Sequence, residues 1–398
     1  MRVSRSLFLF GALLFCGVLH SNVNVNNGNF HVAFLDLQVR NGGLGIEIIR
    51  TYNSRSNFIR GLFGVGWSSE LDTYLRTENE KTITYYHGGG GNVLRFVRAP
   101  KSDLYENKRF GYQKLKQLKN GFILETSSSR RYRFNQNGQL TKIEDSNKNF
   151  IELERREGLL VRLRDNFNNQ VNVKTEKHGA YPRVVLLSRG GEKARYRYNK
   201  LGNLIKAKGA DAIPFEYDYD RKHNMTAIKY ADGSSKKLKY NSLKDWVTEQ
   251  EEVDGYITQY FYFSDKLDPE NKFGTTVSRF LKGNEQKKEI ARFWYEFRKR
   301  KDGSKYNQRS LNMLGDQITE TIYSECCGTP LTISKWRVKE VKNYRENSYD
   351  WVLAKGEKKV TKFEYFADGL LKRKIFPTGR SLRLSYHPKT KRIASMIR

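Results

Sequence analysis

Cysteine is nearly absent: there are three in 398 residues. Cys16 lies in an apolar stretch at the start, which leaves Cys326 and Cys327, adjacent in Glu325-Cys326-Cys327-Gly328. So few cysteines cannot build the disulfide framework of a small secreted domain, and adjacent ones lack the spacing of zinc and thiol-redox motifs. The pair either closes a vicinal disulfide that pins a turn or stays as two thiols on opposite sides of a strand. Either role is structural. Long apolar runs are missing after Leu7–Leu19, so the later chain offers no transmembrane segment. Six scattered histidines (His20, His31, His87, His178, His223 and His387) give no pair at metal-ligand spacing, and no metal or cofactor is expected.

Catalytic signatures are missing too. No Gly-x-Ser-x-Gly elbow occurs, and the run Gly88 to Gly91 lacks the Gly-Lys-Ser/Thr ending of a phosphate loop. Asp145, Asp165, Asp218 and Asp220 fall on turns and edges, where Asp serves turn geometry. With no nucleophile, base and oxyanion donor to assemble, a non-enzymatic protein is expected. Nor is there a long stretch with a period of 3.6, so few or no helices are expected.

What the chain does have is a repeat. Tyr196, Tyr217 and Leu238 are 21 residues apart, as are Tyr198, Tyr219 and Tyr240, and the same interval separates Phe363 from Leu384 and Tyr365 from Tyr386. A fixed period marks a stacked architecture in which each unit buries its apolar face against its neighbours. Tyr132-Arg133-Phe134, Tyr196-Arg197-Tyr198 and Phe363-Glu364-Tyr365 each lead to a glycine and a leucine: Gly138 and Leu140, Gly202 and Leu204, Gly369 and Leu371. In Tyr217-Asp218-Tyr219 the glycine is replaced by His223. Period-two alternation puts the aromatics on one face and the polar residues, including Arg133 and Arg197, on the other. Gly supplies positive φ at the turn, and Leu or Met opens the next strand. Tyr132, Phe134, Tyr196, Tyr198, Tyr217, Tyr219, Tyr240, Phe363, Tyr365 and Tyr386 are thus the expected core. The expected fold is all-β: an antiparallel sheet of successive hairpins, strongly twisted and partly rolled. Phe293-Trp294-Tyr295-Glu296-Phe297 carries aromatics on both faces, so Trp294 is either exposed or covered by another layer.

Tyr217-Asp218-Tyr219-Asp220 resembles the YD repeat of the Rhs family, and Tyr386-His387-Pro388-Lys389-Thr390 resembles its longer-turn variant. At the front, Asn26-Asn27-Gly28-Asn29-Phe30, Arg50-Thr51-Tyr52-Asn53-Ser54 and Gly61-Leu62-Phe63-Gly64-Val65-Gly66-Trp67-Ser68 are similar to the domain that opens many Rhs proteins. The resemblance covers about 25–265 well and 325–398 moderately. It implies a β repeat array that in large relatives rolls into a hollow shell, ending in a self-cleaving segment and a variable toxic tail; neither ending is recognisable here. The expected organisation is a signal peptide at 1–21, an Rhs-type cap at 22–100 and the YD array at 101–265. Less regular hairpins with the Cys-Cys motif follow at 266–362, and a basic repeat at 363–398.

Arg2 and Arg5 before the apolar run, with no acidic residue until Asp36, read as an export signal, which places the mature chain in the periplasm, at the cell surface or outside. The charge balance is strongly basic: 73 Lys plus Arg against 43 Asp plus Glu, a net +30. Residues 369–398 hold nine basic residues and no acidic one: Lys372, Arg373, Lys374, Arg380, Arg383, Lys389, Lys391, Arg392 and Arg398. The first eight are the candidate contacts for an anionic polymer, with surface polysaccharide or lipid head groups as expected partners. The expected function is an exported binding or adhesion module; the alternative is a structural shell component or an orphan remnant of an Rhs toxin-delivery system. Open sheet edges call for a second protein chain or self-association.

Overall fold

The computed structural model describes residues 18–398, except 41, 57–58, 108–112, 127–129, 180, 211, 302, 326–327, 339–343, 346 and 389–391. The fold is all-β. One antiparallel sheet of 28 strands runs from Tyr74–Asn79 to Ile393–Ile397, each strand paired with the next in sequence. Among the described residues the helical elements are three short 3-10 turns: Ser54–Ser56, Glu70–Asp72 and Asp350–Leu353.

The sheet rolls back on itself. Tyr74 bridges Gln139, and the Leu75 N–H donates to the Gly138 carbonyl at 2.8 Å. Gly138 is required there twice over. Its φ is +76°, and an added Cβ would lie 2.0 Å from the Leu75 carbonyl oxygen.

The repeat positions explain the strands. Tyr132, Phe134, Tyr196 and Tyr217 are buried, while Tyr198, Tyr219 and Tyr240 pack against the same core from partly buried positions. Phe363, Tyr365 and Tyr386, near the far end, are half-buried. The second aromatic keeps its hydroxyl bonded. Tyr219 donates to Leu204 O at 2.8 Å, Tyr240 to Met225 O at 2.9 Å, Tyr262 to Val247 O at 2.7 Å and Tyr386 to Leu371 O at 3.0 Å. Each bond satisfies a carbonyl at the mouth of a hairpin, where the ladder leaves it free.

Several of the turns share one chemistry. The Asp220 side chain accepts from the N–H groups of Lys222 and Asn224, with His223 between them at φ +68°. Asp145 and Asp165 make the same turns, with Lys148 and Asn168 in the left-handed slot. Asn199 does so with Gly202 at φ +81°. The side-chain clamp thus sets the turn, and the left-handed slot takes Gly, His, Lys or Asn. Asp218 differs: it is on a strand and pairs with Lys229 at 2.7 Å.

A separate four-stranded sheet is formed by Val18–Asn24, Asn29–Val39, Ile46–Asn53 and Trp67–Ser69. Its first strand starts inside the expected signal segment, while residues 1–17 lie outside those described. The strands Tyr74–Asn79, Thr82–Tyr86 and Val93–Arg98 begin the large sheet rather than extending this cap. Further along, Trp294 is 2% exposed and covered by a second layer, joining Leu311, Trp336 and Trp351 in a separate core. The Tyr349 ring lies 4.9 Å from that of Trp294. Cys326 and Cys327 lie outside the described residues.

Tyr219 also accepts from Trp67 Nε1 at 2.9 Å. Tyr219→Phe leaves two buried partners unmatched and is expected to cost about 1–3 kcal/mol in urea unfolding. Tyr219→Ala adds a cavity and is expected to cost about 3–5 kcal/mol. An unchanged unfolding midpoint in the alanine variant would contradict the register described here.

Candidate functional site

The cap sheet meets the array at its hairpin mouths. Its backbone touches successive repeats in order. The Val184 N–H donates to Leu62 O at 2.9 Å, Val65 N–H to Gly202 O at 3.1 Å and Ala210 N–H to Asp36 O at 2.7 Å. The Tyr52 hydroxyl donates to His223 O at 3.0 Å and accepts from the Met225 N–H at 2.9 Å. Val247 N–H donates to Gly28 O at 2.9 Å, and the Thr275 hydroxyl to Val25 O at 2.5 Å. Gly28 has no alternative: at φ +63°, an added Cβ would fall 2.4 Å from the Trp246 Cβ.

At the centre of this contact sits an ion pair. Arg50 Nε donates to Asp36 Oδ2 at 2.7 Å, and both side chains are at most 2% exposed. The Tyr196 hydroxyl donates to the same oxygen at 2.9 Å. Aromatic rings surround the guanidinium: its carbon is 4.5 Å from the Phe34 centroid, 4.7 Å from Trp67 and 5.5 Å from Tyr217. Phe34 in turn lies 4.8 Å from Phe215, and Phe63 lies 5.1 Å from Tyr196. Burial pushes the Asp36 carboxyl above its ordinary pKa, against the pull of Arg50 and Tyr196. Burial also works against the Arg50 cation, but Asp36 and the hydroxyls of Tyr217 and Tyr196 outweigh it and hold its proton more tightly. An arginine side chain keeps its proton in proteins, so the arrangement is an ion pair.

This cluster was not legible in the sequence. Asp36 stood out only as the first acidic residue, and Arg50 only as part of the Arg50-Thr51-Tyr52 motif. Neither carries the period of 21.

The basic end is less unified than its sequence density implies. Lys374 faces Phe363 and Leu382 on the aromatic side, its Nζ 5.8 Å from the Phe363 ring and 4.8 Å from Phe376. Arg373 is directly opposite Glu364 and Arg383, on the other side. Its guanidinium reaches Glu364 at 3.9 Å and Ser381 Oγ at 3.3 Å. Lys372, Arg380, Arg383 and Arg392 are exposed, and Lys389 and Lys391 lie outside the described residues. The structure therefore brings Arg373 and Arg383 together and turns Lys374 away from them. Among the described residues no group of three His, Cys, Asp or Glu could hold a metal ion, and no helix is long and apolar enough to cross a membrane.

Residues 20–96 match a family model described as a domain of unknown function, DUF6531. No curated protein matches the chain. Among solved structures, the chain is similar to TcdB2-TccC3-TEV at 11% identity and a TM-score of 0.39, covering 92% of this chain and 19% of that one. It is also similar to a Photorhabdus luminescens Tc holotoxin pore with a TccC3 mutation, at 12% identity and TM-score 0.39, covering 92% and 19%. A third is TcdB2-TccC3 without its hypervariable C-terminal region, at 9% identity and TM-score 0.40, covering 93% and 22%. The chain spans about a fifth of the length of each of these.

Asp36→Ala strips the buried guanidinium of its counter-charge and is expected to destabilise the chain by about 3–5 kcal/mol. Adding Arg50→Met should restore part of that loss, because the uncompensated charge goes with it. Chemical denaturation of the single and double variants checks both. A double variant less stable than Asp36→Ala would refute the charge argument.

Proposed function

We propose that this chain is a non-catalytic wall segment, a structural shell component of Rhs type, acting after export. One observation carries the reading: the rolled sheet already holds a folded polypeptide against it, since its own cap buries Arg50, Trp67 and Phe34 among Tyr196, Phe215 and Tyr217. A sheet that packs so much aromatic surface against a second layer is built to enclose. Its other face suits a wall. Cations there are matched across the strands by acids: Lys206 to Glu216 and Lys239 to Glu249, both at 2.7 Å, and Arg164 to Glu152 at 2.8 Å. Exposed pairs of this kind add little stability, but they keep the surface charged and discourage sheets from stacking.

Adhesion to an anionic envelope polymer is the second reading. Arg373 directly opposite Arg383 favours it, because like charges facing each other across strands repel unless an anion lies between them. A salt series on isolated cell envelopes separates the two. As a wall segment, the chain is expected to show only weak capture that disappears near physiological ionic strength of about 0.15 M. Saturable capture that survives there, and is lost in the Arg373→Gln/Arg383→Gln variant, would replace the wall reading with adhesion.

A further inference from the structure

Two arginines are buried where the cap meets the array: Arg50 at 0% exposure and Arg183 at 1%. Arg50 has Asp36 at 2.7 Å. Arg183, on the array strand Tyr181–Arg189, forms no ion pair among the described residues. Its Nη1 donates to the Gly61 carbonyl of the cap at 2.8 Å and to the Pro182 carbonyl at 2.9 Å, while Nε finds no acceptor. Asp72 is the acid whose charge reaches it, but that carboxylate is committed to the cap itself. Asp72 Oδ1 accepts from the Leu62 N–H at 2.7 Å, and Oδ2 accepts from the Ser69 N–H at 2.7 Å and the Ser69 hydroxyl at 3.0 Å. A buried cation without a counter-charge of its own is strongly unfavourable.

Arg60 adds to the imbalance. It precedes Gly61 in the short cap strand Arg60–Gly61, is exposed, and likewise forms no ion pair among the described residues. Both cations lie against one ring: the guanidinium carbons of Arg60 and Arg183 are 5.5 Å and 5.8 Å from the Tyr181 centroid. Burial works hardest against the Arg183 cation and Arg60 adds to that, while Tyr198, Asp72 and Tyr181 favour it. An arginine keeps its proton, so both charges stay. Their backbones are tied together on each side of the contact, by Arg183 Nη1 to Gly61 O and by the Val184 N–H to Leu62 O at 2.9 Å. Tyr181, opposite His178 at the hairpin mouth, is 46% exposed and forms the solvent side of the pair's cover.

We propose that Arg183 and Arg60, with Tyr181 as their cover, bind a free phosphate-type oxyanion, and that the bound anion fastens the cap to the array. Guanidinium groups suit such an anion because they offer paired N–H donors and stay charged when desolvated. Arg183 Nε is a donor with nothing else to bond. The anion supplies to Arg183 what Asp36 supplies to Arg50. One of its two ligands belongs to the cap and the other to the array, so occupancy stabilises the contact between them. Such a site is independent of whether the chain builds a wall.

Inorganic phosphate is the probe, titrated into the full chain by calorimetry at an ionic strength held constant with chloride. Saturable binding is expected, with slowed amide exchange at residues 61–62 and 183–184. Arg60→Gln, at an exposed position, should leave the circular dichroism spectrum unchanged and weaken binding about tenfold or more, the worth of one charge-assisted contact. Arg183→Lys keeps the charge but loses the paired donors, and should weaken binding as well. Thermal unfolding in phosphate against chloride reads the fastening: the melting temperature should rise in the parent chain and not in Arg60→Gln. An equal rise in both is the general effect of an excluded salt and would overturn the proposal, as would absent binding or equal affinity of the Arg60→Gln variant. Vesicles containing phosphatidylglycerol form the second arm. Capture by them that depends on Arg60, without binding of free phosphate, would overturn the free-anion site in favour of a lipid head group.

Discussion

The Arg50–Asp36 pair is the constraint on which the arrangement of the two sheets depends. Asp36 is on a long cap strand and Arg50 on its neighbour, and Tyr196, which completes the carboxylate's hydrogen bonds, belongs to the array. Two charges taken out of water are tolerable only when geometry and hydrogen bonding are both good. The cap can therefore sit on the array in few other ways. A shift by one residue would point Asp36 or Arg50 into the opposite face and leave a charge buried alone. Aromatic rings around the guanidinium add attraction and exclude water, so specificity and burial are supplied by the same side chains.

Along the array the recurring element is the tyrosine hydroxyl. A large ring gives a thin sheet enough apolar surface to bury, and its hydroxyl closes the carbonyl that each hairpin mouth leaves open. The cap uses the same places. Tyr52 reaches His223 and Met225, and Val65 reaches Gly202, all at or beside repeat turns. Turn shape is thus more than local geometry: it presents the backbone groups that the cap reads. This accounts for the Asx clamp at Asn199 and Asp220 alongside loose choice in the left-handed slot.

The two faces of the sheet perform different work. The aromatic face takes the cap, whereas the segment around Trp351 covers the opposite face around Trp294. The opposite face carries cross-strand ion pairs that become sparse toward the basic end, where Arg373 faces Arg383. Basic density along the sequence did not translate into one patch, because alternation sends neighbouring residues to opposite faces. Lys374, between Arg373 and Ile375, belongs with the rings of Phe363 and Phe376 instead.

The all-β fold, the hairpin repeat, the strand faces and the role of the glycine slots were legible in the sequence because they depend on local rules: period-two alternation, turn residues and a fixed spacing. His223 could be recognised as a glycine substitute for that reason. Lys148 and Asn168 escaped notice because the signal there is the preceding Asp and the following Asn, not the residue in the slot. What only the tertiary structure decided is non-local. Asp36 meets Tyr196 across 160 residues, and Tyr52 meets Met225 across 173. No period or pattern in the chain encodes such a meeting. It arises because a rolled sheet with a buried aromatic face must be covered, and the cap covers it in a placement that sets Asp36 against both Arg50 and Tyr196.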